Sequence, residues 1–365
     1  MTTALFSQLT IRDVTFRNRL WVSPMCQYSC EDQDGVPTDW HLVHLGSFAR
    51  GGAGLVVAEA SGVAPEGRIT PWCTGIWSEA QVAEWSRITQ FIHSQGTKAG
   101  IQLAHAGRKG STHRDWSGKG SVSLPDGGWT TVAPSPLAFP GYEAPRELTV
   151  DEIGELPAAW AAAARRALDA GFDVVEVHAA HGYLLHQFLS PLSNERDDEY
   201  GGSLENRARL LLDVVRAVRA EVGEGVPVFV RLSATDWSEP DGWTIEDTVT
   251  VSGWAHAAGA DLVDVSSGGL VAGVHIPTGP GYQVPFASAV RAGAHVPTGA
   301  VGQIVGARQA EDIIATGEAD AVFVGREFLR DPHLPLRVAS ELGEHLDYWP
   351  LQYLRADFAS RPAVA

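Results

Sequence analysis

The stretch AGFDVVEVHAAHGY at 170–183 reads as one complete joint of an α/β protein. Ala-Gly closes a helix, because glycine just past the last turn takes the left-handed cap without steric cost. VVEVH at 174–178 is then a short β-branched strand of the kind buried on both faces. Polar side chains gather where it stops: His178, His181 and Tyr183. Seven further runs repeat this grammar: LWVSPM (20–25), LVVAEA (55–60), KAGIQL (98–103), PVFVRLS (227–233), LVDVSS (262–267), PTGAVG (297–302) and AVFVG (321–325). Glycine-bearing joints at 51–54, 258–261 and 316–320 precede three of them. Between the runs, SEAQVAEWSRITQFIHSQG, AAWAAAARRALDAG and LENRARLLLDVVRAVRAEVG repeat their apolar residues at helical spacing.

Eight strands each followed by a helix, with no Pro/Gly-rich linker between them, predict a single domain over 1–365. Its fold is a closed (β/α)8 TIM barrel with parallel strands inside and helices outside. Two connections are long, 106–147 after the third run and 268–288 after the sixth. Insertions of that size cover a barrel's mouth, so both are expected to be lids.

Bulk properties narrow the function. The formal net charge is −17, with basic residues scattered singly, which argues against a nucleic-acid partner and for small molecules. The opening MTTALFSQLTIRD has neither the basic and apolar segments of an export signal nor a membrane-length apolar run, so a cytoplasmic protein without a membrane partner is expected. Three cysteines, Cys26, Cys30 and Cys73, are too few for a disulfide framework and form no CxxC pair. The twelve tryptophans are expected mostly as helix and lid packing.

In a barrel the strand ends converge on one face, where enzymes of this architecture build their sites. Those ends carry Pro24-Met25-Cys26, Glu59-Ala60, Gln102, His105, His178, His181, Arg231, Ser266-Ser267, Gly302, Gly325 and Arg326. Gly302, Gly306, Gly325 and Arg326 together suggest an anion site of backbone N–H groups beside a guanidinium, although tight turns and a surface ion pair would use the same residues. His178 and His181 could donate to a developing oxyanion with Tyr183 as proton donor; structural histidines and a metal site are the other readings. Cys26 fits a nucleophile, a redox-tuning thiol or a buried apolar residue. Arg231, at a strand end, would be costly buried unpaired and calls for an anionic or electron-rich partner at the barrel mouth, or else a surface partner.

PMCQYS (24–29), GIQLAHAGRK (100–109), VHAAHGYLLHQFLSPLSNERDDEYGGSLENR (177–207), VRLS (230–233) and GREFLRDP (325–332) resemble the old yellow enzyme family of FMN-dependent ene-reductases, over nearly the whole chain. Cys26, Tyr28 and QYLR at 352–355 are similar to its thermophilic-like, YqjM-type branch, and GRITPWCTGIWS and GWTTVAPSPLAF to the xenobiotic reductase A members. The resemblance implies non-covalent FMN, with NADPH or NADH as reductant and activated alkenes as substrates: enones, maleimides and nitro compounds. It implies that Pro24, Met25, Cys26, Ala60, Gln102 and Arg231 line the isoalloxazine, and that Ser267, Gly302, Gly325 and Arg326 hold the ribityl and phosphate end. His178 and His181 match the pair that binds a substrate carbonyl, Tyr183 the proton donor, Cys26 a potential-tuning thiol and Tyr28 an active-site phenol. A homodimer or homotetramer is implied, in which Arg355, on a tail from about 345, reaches a neighbouring subunit's site. The branch's tryptophan near Val301 and Gly302 has no counterpart here, which leaves the pocket shape open.

Two other classes make different predictions. A metal-dependent barrel hydrolase would be colourless, with bound divalent metal. A flavin carrier would be yellow but inert toward enones. An iron–sulfur relative is disfavoured by the cysteine count, and no metal site is expected.

Overall fold

Each of the eight apolar runs forms a strand in the computed structural model, which describes residues 3–357. They are β1 (Leu20–Val22), β2 (Leu55–Gly62), β3 (Lys98–Ala104), β4 (Val174–Ala179), β5 (Val228–Ser233), β6 (Leu262–Ser266), β7 (Thr298–Ala300) and β8 (Ala321–Val324). Neighbours in sequence pair in parallel and β8 pairs with β1, closing the barrel. Helices follow every strand: α1 (Asp39–Arg50), α2 (Glu79–Ser94), α3 (Val150–Asp169), α4 (Leu184–Leu189) with α5 (Leu204–Val222), α6 (Ile245–Ala257), α7 (Val284–Ala294), α8 (Ala307–Ala315), and α9 (Arg326–Arg330) with α10 (Leu334–Glu341). Residues 358–365, the end of the tail, lie outside the described residues.

The joints explain their own sequences. Gly171 and Gly259 take φ of +86° and +118°, where a side chain would be strained. The aspartates that end three joints serve the sheet: Asp173 Oδ2 accepts from Ala99 N at 2.8 Å, Asp261 Oδ2 from Val228 N at 2.8 Å, and Asp320 Oδ2 from Thr298 N at 3.0 Å. Each carboxylate satisfies a backbone donor at the start of the preceding strand that would otherwise lack a partner.

Strand alternation divides the core in two. Outward residues such as Val175, Val177, Val263 and Val265 pack beneath the helices. Inward residues fill the lower barrel with Trp21, Leu55, Val57, Val174, Phe229, Leu262 and Phe323. Trp21 stacks on Phe229 at 5.8 Å between centroids and meets Phe323 edge-on at 5.4 Å. Burying each such side chain contributes roughly 1.5–3 kcal/mol. A hairpin, Leu9–Ile11 with Val14–Phe16, closes the bottom by adding Ile11, Val14 and Phe16 to this layer. It was not anticipated from the sequence, because its strands are only three residues long. The tryptophans divide: Trp21, Trp85, Trp160 and Trp243 are fully buried, whereas Trp40 and Trp116 are exposed.

The two long connections meet on the upper side. Residues 106–147 contain only short 3-10 turns and one two-residue strand pair, Val132–Ala133 with Arg146–Glu147. Arg108 donates to Leu137 O at 3.2 Å and to Leu270 O at 3.1 Å, tying this segment to the 268–288 connection. Among the described residues no helix is long and apolar enough to cross a membrane.

Candidate active site

The turn after β4 is shaped by contacts that orient three rings. His181 and Gly182 both have left-handed backbone, φ +58° and +73°. A Cβ on Gly182 would lie 2.5 Å from Gly269 O, so only glycine fits there. His181 N donates to Ser233 Oγ at 2.9 Å, Gly182 N to His186 Nδ1 at 2.9 Å, and Gln187 Nε2 to Gly182 O at 2.7 Å. Lys109 Nζ donates to His181 O and to Gly269 O, each at 2.8 Å. This ties the turn to both long connections. The outcome is a cluster in which the His178 ring stands 5.3 Å from His181 and 5.0 Å from Tyr183, both edge-on.

Electrostatics fix the protonation of these groups. Burial, then the positive charge of Arg231, holds both imidazoles well below their usual range, so they are neutral at pH 7. Burial pushes the Tyr183 phenol well up, and it keeps its proton. His181 Nε2 pairs with Ser266 Oγ at 2.7 Å, and His178 Nδ1 is buried without a hydrogen-bond partner among the described residues. Two neutral imidazoles and a phenol can donate hydrogen bonds to an oxygen that gains negative charge, and need no rearrangement to do so. Among the described residues no three His, Cys, Asp or Glu side chains converge as a metal ion would require.

Cys26 and Tyr28 reach the same place from β1. They pack with Tyr183, Ala60, Cys73, Ala104 and Ala106 in one apolar cluster. A bulge in β2 between Ala58 and Ala60 redirects Glu59, whose Oε2 accepts from Gln27 N at 3.0 Å and so shapes the 24–28 segment. Tyr28 is another left-handed residue, φ +52°. Burial, and next the charge of Glu59, pushes the Cys26 thiol well up, so that it is a neutral thiol rather than a thiolate. Of the three roles open to Cys26, nucleophilic attack is the least served by this environment.

Below the rings lies a row of polar side chains inside the barrel. Register sets Ala60 opposite Gln102, Gln102 opposite Glu176, and Arg231 opposite both His178 and Asp264. Arg231 Nε stands 3.0 Å from Asp264 Oδ2, and Gln102 Nε2 donates to Glu176 Oε1 at 2.7 Å. Sequence reading missed Glu176, Asp264 and Lys109. The signal for the first two was present: a carboxylate inside a strand buried on both faces needs a partner.

To one side of this row, between β6, β7 and β8, a cavity of about 410 Å³ opens, lined by Met25, Ser266, Gln283, Gly302, Gly325 and Arg326 among others. Gly302 has φ +120°, and a Cβ there would press on Gln283 and Tyr282. Arg326 lines this cavity, and no carboxylate pairs with it among the described residues. Ser267 is not itself among the lining residues but donates to Gln283 Oε1 at 2.6 Å, and Gln283 lines the cavity. Arg355 lies on the exposed 3-10 turn Leu351–Ala356 and is not brought to the site of its own chain.

The site thus has an anion-accepting end, a polar floor and a cluster of neutral donors. Residues 4–345 match the NADH:flavin oxidoreductase / NADH oxidase family. An NADPH dehydrogenase of Listeria innocua is 47% identical over 353 residues, covering 96% of this chain and 98% of the relative. The old yellow enzyme homologue of Zymomonas mobilis superposes with a TM-score of 0.77 at 30% identity, over 97% of this chain and 98% of that one. A 2-naphthoyl-CoA reductase superposes at 0.84 with 28% identity over 93% of this chain, which spans about half (52%) of that longer protein. The chain therefore belongs to the NADH:flavin oxidoreductase / NADH oxidase family, the old yellow enzyme family of FMN-dependent, NAD(P)H-dependent oxidoreductases.

Proposed function

We propose that this protein is an ene-reductase of the thermophilic-like branch, reducing the C=C bond of α,β-unsaturated carbonyl compounds, maleimides and nitroalkenes. The observation that carries this reading is the cluster of His178, His181 and Tyr183, all neutral and all able to donate, beside the Arg231 row. The branch is supported by Cys26 and Tyr28 lying in one cluster with Tyr183.

The residues fit FMN. Arg326, without a carboxylate partner, and the cradle at Gly302 and Gly325, with Ser267 acting through Gln283, suit the phosphate and ribityl end. Pro24, Met25, Cys26, Ala60, Gln102 and Arg231 suit the ring, with Arg231 able to balance negative charge on it. Bound FMN supplies hydride transfer, from NADPH or NADH to the β-carbon of the alkene.

The chain's own residues do the rest. His178 and His181 bind the carbonyl or nitro oxygen and stabilise the charge that develops there, which lowers the barrier because that charge is largest in the transition state. Tyr183 delivers a proton to the α-carbon and Tyr28 borders the substrate. Arg355, exposed on its turn, completes the site of a neighbouring subunit in a homodimer or homotetramer, with the tail from about 345 at the interface of the single domain. The two long connections act as lids, and three free thiols suit a cytoplasmic enzyme.

Tyr183→Phe tests the assignment by separating the half-reactions. Flavin reduction by NADPH should proceed at the wild-type rate, whereas reoxidation by 2-cyclohexenone should slow by about 10²-fold or more. Unchanged reoxidation would remove Tyr183 as the proton donor.

A further inference from the structure

Two carboxylates inside the barrel face a single cation. Glu176 on β4 and Asp264 on β6 are both fully buried. Arg231 on β5 stands between their strands in an ion pair with Asp264, its Nε 3.0 Å from Oδ2, although neither atom makes a hydrogen bond among the described residues. Glu176 has only the neutral amide of Gln102, on β3, at 2.7 Å, and its Oε2 has no hydrogen-bond partner among the described residues. The other titratable group on the same face of β4 is His178, which is neutral.

An ionised carboxylate in such a place costs several kcal/mol unless a cation matches it. Arg231 matches one carboxylate, and Asp264 holds it. For Glu176, burial first and then the charge of Asp264 favour the protonated form, and together they outweigh the opposing charge of Arg231 and the hydrogen bond from Gln102.

We propose that Glu176 is kept as a neutral carboxylic acid at neutral pH and regulates the charge seen by the flavin. With its proton, the set of Arg231, Asp264 and Glu176 is electrically neutral and adds no negative charge beside the reduced ring. Without it the set carries one net negative charge, which opposes reduction. Glu176 is thus a positioning residue that acts through Arg231, and the proposal rests on the placement of the isoalloxazine against Gln102 and Arg231.

The proton count follows. Two electrons and one proton reach the ring as hydride from NADPH. In the pH range where Glu176 is ionised before reduction and protonated after it, one further proton passes from solvent to its carboxylate. No bond forms between ring and protein. Each pH unit in that range changes the reduction equilibrium a further tenfold, about 30 mV for a two-electron couple, beyond the cofactor's own pH dependence.

Two measurements on the holoenzyme test this. The first is the flavin reduction potential of wild type and Glu176→Gln from about pH 6 to 9. The wild-type curve should fall away from that of E176Q as pH rises and join it at low pH, where both carry a neutral group. The second is infrared spectroscopy, in which wild type should show the carbonyl stretch of a buried protonated acid at pH 7 that is lost at high pH and is missing in E176Q. Absence of that band from wild type overturns the neutral acid while leaving the flavin placement untouched. The band present with parallel potential curves overturns the coupling, and with it the ring's placement over Arg231. If E176Q does not retain flavin, the wild-type band and its pH dependence decide.

Discussion

Replacing His178 by alanine isolates what the ring cluster does. His178 is almost fully buried, lies edge-on to Tyr183 at 5.0 Å, and carries no charge because burial and Arg231 hold its pKa down. Its contribution to a bound oxygen is therefore one hydrogen bond from a neutral donor to an acceptor bearing negative charge, worth about 1.5–3 kcal/mol. At 1.4 kcal/mol per decade, the affinity for a phenolate-like ligand should fall about tenfold to 150-fold. The cofactor should stay, because His178 is not among the residues lining the cavity at Arg326 that is proposed to take the phosphate. The assay is a titration of the holoenzyme with a para-substituted phenol, followed through the flavin absorbance. An enone, which does not ionise, supplies the pH control. With both imidazoles neutral, its affinity in wild type should be flat between about pH 6 and 8, whereas an imidazolium of ordinary pKa would make it rise on acidification. An H178A protein that keeps its flavin and binds the phenol within about threefold of wild type would refute the oxyanion role.

Two further perturbations address the rest of the site. Arg326→Ala should weaken FMN binding by at least about tenfold, measured by equilibrium dialysis of the apoprotein, through loss of a charge-assisted contact; unchanged affinity would remove the phosphate assignment. Lys109 is half-buried, and its pKa is lowered from 10.5 to about 8, by desolvation first and then by Arg108. The unfolded chain therefore holds this proton up to 10.5 while the folded one releases it from about 8, so wild type should gain stability relative to Lys109→Met as pH rises through that window, by roughly 3 kcal/mol in total. The difference in Tm between the two proteins against pH reads this directly, and a difference that is constant or shrinks with rising pH would contradict it.

The barrel was legible because its strands are buried on both faces and its helices on one. VVEVH and PVFVRLS could be placed without structure, and so could the glycine-closed joints at 171 and 259. The hairpin beneath the barrel was not, since three-residue strands carry too little pattern. Strand ends could be read as a list of chemistry-bearing residues, and His178, His181, Tyr183, Cys26 and Tyr28 do converge. In the row one step lower, Gln102 and Arg231 were legible as strand ends, but their carboxylate partners were not. Glu176 and Asp264 read as exceptions within VVEVH and LVDVSS until closure of the barrel put β4, β5 and β6 side by side. Lys109 and Gln283 lie in irregular connections, where no period says which way a side chain faces. Ser267 lay at the expected strand end, yet its hydroxyl turns to Gln283. Its neighbour Ser266 meets His181.

One anaerobic experiment tests the central claim most directly: the absorbance spectrum of the purified protein, then the same cuvette after NADPH, then after 2-cyclohexenone. The account predicts a flavin band that bleaches with NADPH and returns with the enone. A band that bleaches and does not return with the enone, or with a maleimide or nitroalkene, would contradict the ene-reductase reading and leave a flavin reductase that passes its electrons elsewhere.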